Sequence, residues 1–160
     1  MPLPLRALIF VLLFPGTATI GIPALLLRSG VEIYAFDIGW LRLAGTLPLA
    51  LGAALLLWCV ADFAFVGRGT LAPVDAPTAL VMTGPYRVVR NPMYVAVVLG
   101  ILGEALLFES LTLAVYAPAL WSVFHLFIVL YEEPSLGRRF GAEYASYRGA
   151  VSRWLPRWPG

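Results

Sequence analysis

Charged positions along this chain leave long stretches free, and those gaps predict its elements. No charged residue stands from Ala7 to Leu27, from Leu43 to Ala61, or from Ser110 to Tyr131. A fourth stretch, Pro92 to Phe108, is interrupted only by Glu104. At ~1.5 Å of rise per residue, each approaches the ~30 Å hydrocarbon thickness of a bilayer. The pattern predicts an all-α fold, a polytopic membrane helical bundle of about four transmembrane helices at roughly 7–27, 43–62, 92–108 and 110–131. The first stretch has a second reading as a signal peptide, because ALIFVLLF is followed by small residues at Thr17–Thr19. Its thin basic region (Arg6 alone) and the apolar run continuing through IPALLL favour a span.

Only Phe108-Glu109-Ser110 separates the third and fourth stretches, so these predict a tight antiparallel hairpin. If its turn centres near 109, residues whose numbers sum to about 218 lie side by side. Tyr94 then faces His125 or a neighbour, and Tyr86 faces Glu132. The polar run TGPYRVVRNPMY (83–94) would thus meet the end of the fourth span at one depth. Beyond it, YEEPSLGRRFGAEYASYRGAVSRWLP (131–156) places Pro134 where a first helical turn tolerates it. Leu136, Phe140, Tyr144 and Tyr147 recur on one helical face, with Arg138, Arg139, Glu143 and Arg148 largely elsewhere. This predicts a C-terminal amphipathic interfacial helix. GRGTLAPVDAPT (67–78) reads as the one flexible segment.

Composition agrees with a membrane protein. The chain is 61% hydrophobic and 12% charged, with mean hydropathy +0.86, whereas soluble domains are about a quarter charged. A net charge of +2 is too small to suggest nucleic acid as a partner. The single cysteine, Cys59, sits in the apolar LLLWCVA and permits no disulfide within the chain, and no Cys/His spacing suggests a metal site. With four spans, nine of the eleven arginines fall on one side and only Arg28 and Arg42 on the other. The positive-inside rule then puts both termini and the 62–91 loop in the cytoplasm, at the plasma (inner) membrane in a bacterium.

Candidate chemistry gathers at that cytoplasmic face. Glu132-Glu133 is either an interfacial pair that ends one helix and favours the start of the next, or a carboxylate pair for a cationic or hydroxyl-bearing ligand. Arg87 and Arg90 are lipid-phosphate anchors or site residues. Asn91-Pro92 forces an extended residue and then a helix start, whose free N–H groups suit an anion. His125, the only histidine, is either a packed polar residue within the bundle or part of the site. Glu104 lies some 20 Å along its helix from Arg90 at ~1.5 Å per residue, and reads as structural. A nucleophile elbow, a phosphate loop, a zinc-protease signature and a soluble dinucleotide fold are all missing from the sequence.

TGPYRVVRNPMY, the short hairpin and EEPSLGRRFGAEYASYRGAVSRWLP together resemble the isoprenylcysteine carboxyl methyltransferase family. These are integral membrane methyltransferases whose wider group includes phospholipid N-methyltransferases and thiol methyltransferases. The resemblance covers about residues 77–156. It implies S-adenosyl-L-methionine as cofactor, enclosed by the last two membrane helices and the C-terminal helix, and a small lipophilic acceptor that arrives from the membrane lipids. It places cofactor contacts at Thr78, Ala79, Leu80, Val81, Tyr86, Arg90, Asn91, Pro92, Met93, Tyr94, Glu132 and Glu133, with no metal. Residues 1–62 are then an N-terminal helix pair, and 63–160 the cofactor-binding half. If an amine or thiol is the acceptor, His125 or Glu133 is the expected catalytic base. A carboxylate acceptor needs none.

Two positions depart from the family pattern. Asn91 replaces a usual histidine, and Ile128 stands where isoprenylcysteine enzymes carry an arginine for the substrate carboxylate. These departures turn expectation away from prenylcysteine. Alternatives to the methyltransferase are a sterol-reductase-like oxidoreductase and a non-catalytic lipid- or cofactor-binding protein of the same fold.

Overall fold

The computed structural model describes residues 12–34, 37–66 and 79–156. Among them there is no strand, only an isolated parallel bridge between Val89 and Ser152. A π-helical run, Leu12–Gly21, leads into α1 (Ile22–Arg28), and a 3-10 run, Gly39–Gly45, leads into α2 (Thr46–Phe65). A 3-10 turn at Gly84–Arg87 precedes α3 (Pro92–Leu107) and α4 (Leu111–Phe127). A π-helical turn, Ile128–Glu132, then joins α4 to α5 (Glu133–Ala150).

Two helical runs, Gly39–Phe65 and Leu111–Ala150, are long and apolar enough to cross a membrane; Leu13–Arg28 and Pro92–Leu107 are shorter apolar helices. Only 17% of the most apolar window of each long run is buried within the protein. Trp40, Leu47, Leu51, Leu57 and Phe65 on one run, and Val123, Leu126 and Leu130 on the other, are exposed. Helices this apolar and this little covered need lipid around them.

α2 and α3 form the most extensive helix pair, and glycines let them approach. A Cβ at Gly52 would stand 2.6 Å from the Ala96 carbonyl oxygen, and one at Gly103 would stand 2.6 Å from the Leu49 nitrogen. Such small-residue contacts bring backbones together where no water drives helices into contact. α3 and α4 pack through Val97, Ile101 and Ala117.

The predicted hairpin is present. α3 ends at Leu107 with Phe108 as its C-cap, Glu109 takes a left-handed φ of 52°, and Ser110 caps α4 by accepting from the Leu113 N–H. Its register is the expected one, with the Tyr94 and Phe124 rings 4.7 Å apart. The segment after α1 closes the turn: the Glu32 carboxylate accepts from Ser110 Oγ (2.7 Å), Thr112 N (3.1 Å) and Thr112 Oγ1 (2.9 Å). Ile38 N donates to Glu109 Oε1 at 2.9 Å. A carboxylate here also complements the positive end of α4.

Two features correct the sequence reading. Pro134 stands in the first turn of α5, as expected, but that helix is not set apart, since α4 runs on into it through the π turn. Pro134 lacks the N–H that the carbonyl four residues earlier would accept, and the preceding π turn absorbs that mismatch. Nor is α5 one wheel. Gly141 has φ 52° and ψ −121°, a conformation reserved for glycine, and kinks it. Tyr144 and Tyr147 beyond the kink are buried, while Leu136 and Phe140 before it are only half-buried.

Candidate functional site

Where α3 begins and the π turn ends, side chains from three segments converge on a small cleft lined by Arg90, Asn91, Ile128, Glu132, Glu133, Leu136, Tyr144 and Tyr147. Its enclosed space is about 20 Å³, room for about one water. Past Glu133 and Tyr144, which line both, lies an open groove of about 730 Å³ along α5, bordered by Gly137, Gly141, Arg148 and Arg153.

Local chain chemistry sets the cleft's first arm. Gly84, with φ 50°, lies against Asp62 and Trp58 of α2 so closely that a Cβ would overlap the Asp62 carboxylate. That turn drives Tyr86 into a core formed with Cys59, Val81 and Met93. Asn91 then breaks the helical conformation (φ −127°, ψ 51°) before Pro92 starts α3. The Asn91 side chain does not cap α3; its amide donates to the Arg153 carbonyl at 3.2 Å.

The paired acids have different partners. Glu132 Oε2 accepts from the Tyr94 hydroxyl at 2.7 Å. Burial pushes the Glu132 carboxyl above its ordinary value; the Tyr94 hydrogen bond offsets part of this, and the Glu133 charge adds to it. Glu133 instead takes a fork from Arg153, Nε at 2.8 Å and Nη2 at 2.9 Å, and pairs with Arg90 Nη1 at 3.1 Å. Burial alone would raise its carboxyl too. The Arg153 hydrogen bond and the charges of Arg90, Arg153 and Arg148 outweigh that and hold it below the usual range. Arg90, with 9% of its side chain exposed, leaves a buried Nε without a partner.

A C-terminal segment closes the wall. Val151 is extended after α5, and Arg90 N donates to the Ser152 carbonyl at 2.8 Å. Trp154 Nε1 donates to His125 Nδ1 at 3.1 Å and packs on Trp121, ring centroids 5.5 Å apart. The Tyr147 hydroxyl donates to the Tyr86 carbonyl at 2.6 Å.

The structure therefore brings together Arg90, Asn91, Tyr94, Glu132 and Glu133. It does not bring in several other residues expected there. Val81, Tyr86 and Met93 are core residues against α2, so they shape the cleft's support and not its lining. Pro92 is buried at the helix start, Ala79 is exposed and Leu80 half-buried. Thr78 lies outside the described residues. His125, expected as a base, stands in a stack with Trp121 and Trp154 and is not among the lining residues. Glu133, the other expected base, is occupied by two arginines. Sequence reasoning missed Arg153 altogether, and it took Tyr144 and Tyr147 only as an apolar stripe. The hydroxyls on that stripe were a usable signal; for Arg153 there was none, since its place depends on how the chain returns.

Comparisons with known proteins give the chain a family. Residues 40–143 match the phospholipid methyltransferase family. The chain belongs to that family, a family of membrane methyltransferases. It is 29% identical over 126 residues to the nickel-cobalt-cadmium resistance protein NccN of Alcaligenes xylosoxydans xylosoxydans, covering 76% of this chain and 54% of that protein. It is 29% identical over 113 residues to the cobalt-zinc-cadmium resistance protein CzcN of Cupriavidus metallidurans, covering 71% and 48%. The chain thus spans about half the length of the curated relatives it matches. No solved structure matches it.

Proposed function

We propose that the protein is an S-adenosylmethionine-dependent methyltransferase of a bacterial plasma membrane, acting on a small lipophilic acceptor that reaches the site from the lipid. The observation that carries this reading is the Tyr94–Glu132 hydrogen bond beside a buried Arg90 whose Nε has no partner, within a family match that covers two of the three segments forming the cleft. The residues suit the cofactor's charges. Glu132, oriented by Tyr94, would hold its cationic groups, and the free Arg90 Nε would take its carboxylate. The groove beyond Glu133 and Tyr144 has the size of a small-molecule site.

When bound, S-adenosylmethionine supplies a methyl group on a positively charged sulfur, already activated for transfer. The protein's part is to place an acceptor against it and exclude water. Tyr144 and Tyr147 offer aromatic faces and cover the cleft. Glu133, clamped by Arg90 and Arg153, fixes those arginines and takes no proton. Glu132, with its raised carboxyl, is the group suited to accept a proton from an amine or thiol acceptor. Four membrane crossings, cytoplasmic termini, an α5 whose part beyond the Gly141 kink lies at the membrane surface, and a division into a helix pair (1–62) and a cofactor-binding half (63–160) complete the proposal.

Calorimetry of S-adenosylmethionine and S-adenosylhomocysteine with the protein in nanodiscs tests it. Micromolar binding, lost in Glu132→Ala and Tyr94→Ala, is the expected result; a folded wild type that binds neither overturns it. The relatives' names add a physiological context, tolerance of cobalt, zinc, nickel or cadmium. We propose that methylation of a membrane component contributes to such tolerance. A deletion strain rescued on cobalt by the wild type and equally by Glu132→Ala would refute that link.

A further inference from the structure

The enclosed cleft presents a mismatch of size. Glu132, Arg90 and Asn91 converge on space for about one water, while the roomy groove lies behind a wall made by Glu133 and Tyr144. A small molecule reaches Glu132 only if part of this wall moves. α3 is fixed to α2 by backbone contact at Gly52 and Gly103, and to α4 by the buried Val97, Ile101 and Ala117. The chain beyond Gly141 is held differently. Its links to the rest of the cleft include polar contacts of Tyr147 to the Tyr86 carbonyl, Tyr144 near Arg90 Nη1 (3.4 Å), Ser152 to Arg90, Arg153 to Asn91 and Glu133, and Trp154 to His125, together with the buried Tyr144 and Tyr147 rings and the packing of Trp154 on Trp121.

We propose that residues 142–154 are a hinged lid over the cleft, with Gly141 as hinge and the Trp154–His125 and Arg153–Glu133 contacts as its latch. Gly141 suits a hinge, since its φ of 52° is open to glycine and nothing lies within 4 Å of where its Cβ would be. Trp154 suits a latch, since it combines one hydrogen bond to His125 with packing on Trp121 and His125. Swinging the lid outward removes Tyr144 from the wall and merges cleft and groove into one space. His125 is in this account a positioning residue that acts through Trp154. Tyr144, Tyr147 and Arg153 all lie beyond residue 143, where the family match ends. The inference rests on the reading of Glu132 as a ligand site.

Hydrogen exchange on the full chain in nanodiscs tests the lid without any ligand. In Trp154→Phe and His125→Phe, the Arg90 amide, which donates to Ser152, should exchange about five-fold faster, the loss of one net hydrogen bond. Amides of Val97 to Ile101 in α3 should not change. Unaltered exchange at Arg90, or acceleration of α3 to the same extent, overturns the lid. In a second arm, stopped-flow association of S-adenosylhomocysteine should quicken by a similar factor in both variants. Faster exchange with an unchanged association rate would show that the segment opens without controlling access, and the lid fails as a gate. A wild type that does not bind S-adenosylhomocysteine removes the cofactor reading instead, and the exchange arm alone then decides the lid.

Discussion

Two adjacent carboxylates, Glu132 and Glu133, differ in everything except residue type. Glu133 is 9% exposed and bridges Arg90 and Arg153, so its removal leaves two cations facing each other in a buried place. Glu133→Gln is expected to destabilise the protein by about 3 kcal/mol, measured by unfolding in mixed detergent. Glu132→Gln keeps the hydrogen bond from Tyr94 and should leave stability within about 1 kcal/mol of wild type, while binding of S-adenosylmethionine is lost. Their pH dependences run in opposite senses. Glu133 lies below the ordinary 4.5, so its stabilisation is complete above that value and disappears as pH falls through its own, lower pKa. Glu132 lies above 4.5, so its charge opposes folding, and acidification relieves that penalty. Cofactor affinity should therefore rise with pH through the raised Glu132 value in wild type. Titration calorimetry that gives the same pH profile in Glu132→Gln would remove Glu132 from the site.

Helix-level features divide into those that local pattern encodes and those that depend on the chain's return. The hairpin was legible because charge-free gaps fixed α3 and α4, and a turn too short for any other geometry fixed their register. Tyr94 opposite Phe124 is the outcome. The π turn was not legible, because Ile128 to Glu132 carries no distinct pattern and Pro134 reads equally well as a helix start. The kink at Gly141 was hidden for a similar reason, since an isolated glycine within a helical stripe leaves the periodicity intact. Arg153 is joined to Asn91 across 62 residues of sequence, a contact that no window of periodicity spans. Glycines make these element-level claims testable. Gly52→Val forces a side chain into the Ala96 carbonyl, and should cost about 1–3 kcal/mol by overpacking and lower the melting temperature. Gly141→Ala meets no atom, yet should cost about 1–3 kcal/mol from backbone strain alone. Equal melting curves for Gly141→Ala and wild type would mean that the kink is not the preferred conformation.

At the scale of the whole molecule, polar groups collect at two ends with apolar helices between them. One end holds Glu32, which bonds to Ser110 and Thr112 at the hairpin tip, and Glu109, which accepts from the Ile38 amide. The other holds Arg90, Glu132, Glu133, Arg148 and Arg153 around the cleft. If α2, α3 and α4 all cross the bilayer, Asp37 and Phe108 share the outer side while Arg138 faces the cytoplasm. α3 is the critical helix, since its 16 residues span about 24 Å, short of the ~30 Å hydrocarbon. Crossing then needs local thinning of the bilayer, which costs only fractions of a kcal/mol per ångström. Cys59 is buried and is the only cysteine, so a Cys59→Ala background makes single new cysteines readable. Asp37→Cys and Phe108→Cys should react with a membrane-impermeant maleimide in intact cells, and Arg138→Cys only after the membrane is opened. Labelling of Arg138→Cys in intact cells, with the other two silent, would invert the orientation and place the cleft outside, away from the cytoplasmic supply of cofactor. If Phe108→Cys reacted on the side of Arg138, α3 and α4 would form a re-entrant hairpin. The bonds joining Glu109 to Ile38 and Ser110 to Glu32 would then have to break, so the same labelling experiment tests the fold's closed end together with its topology.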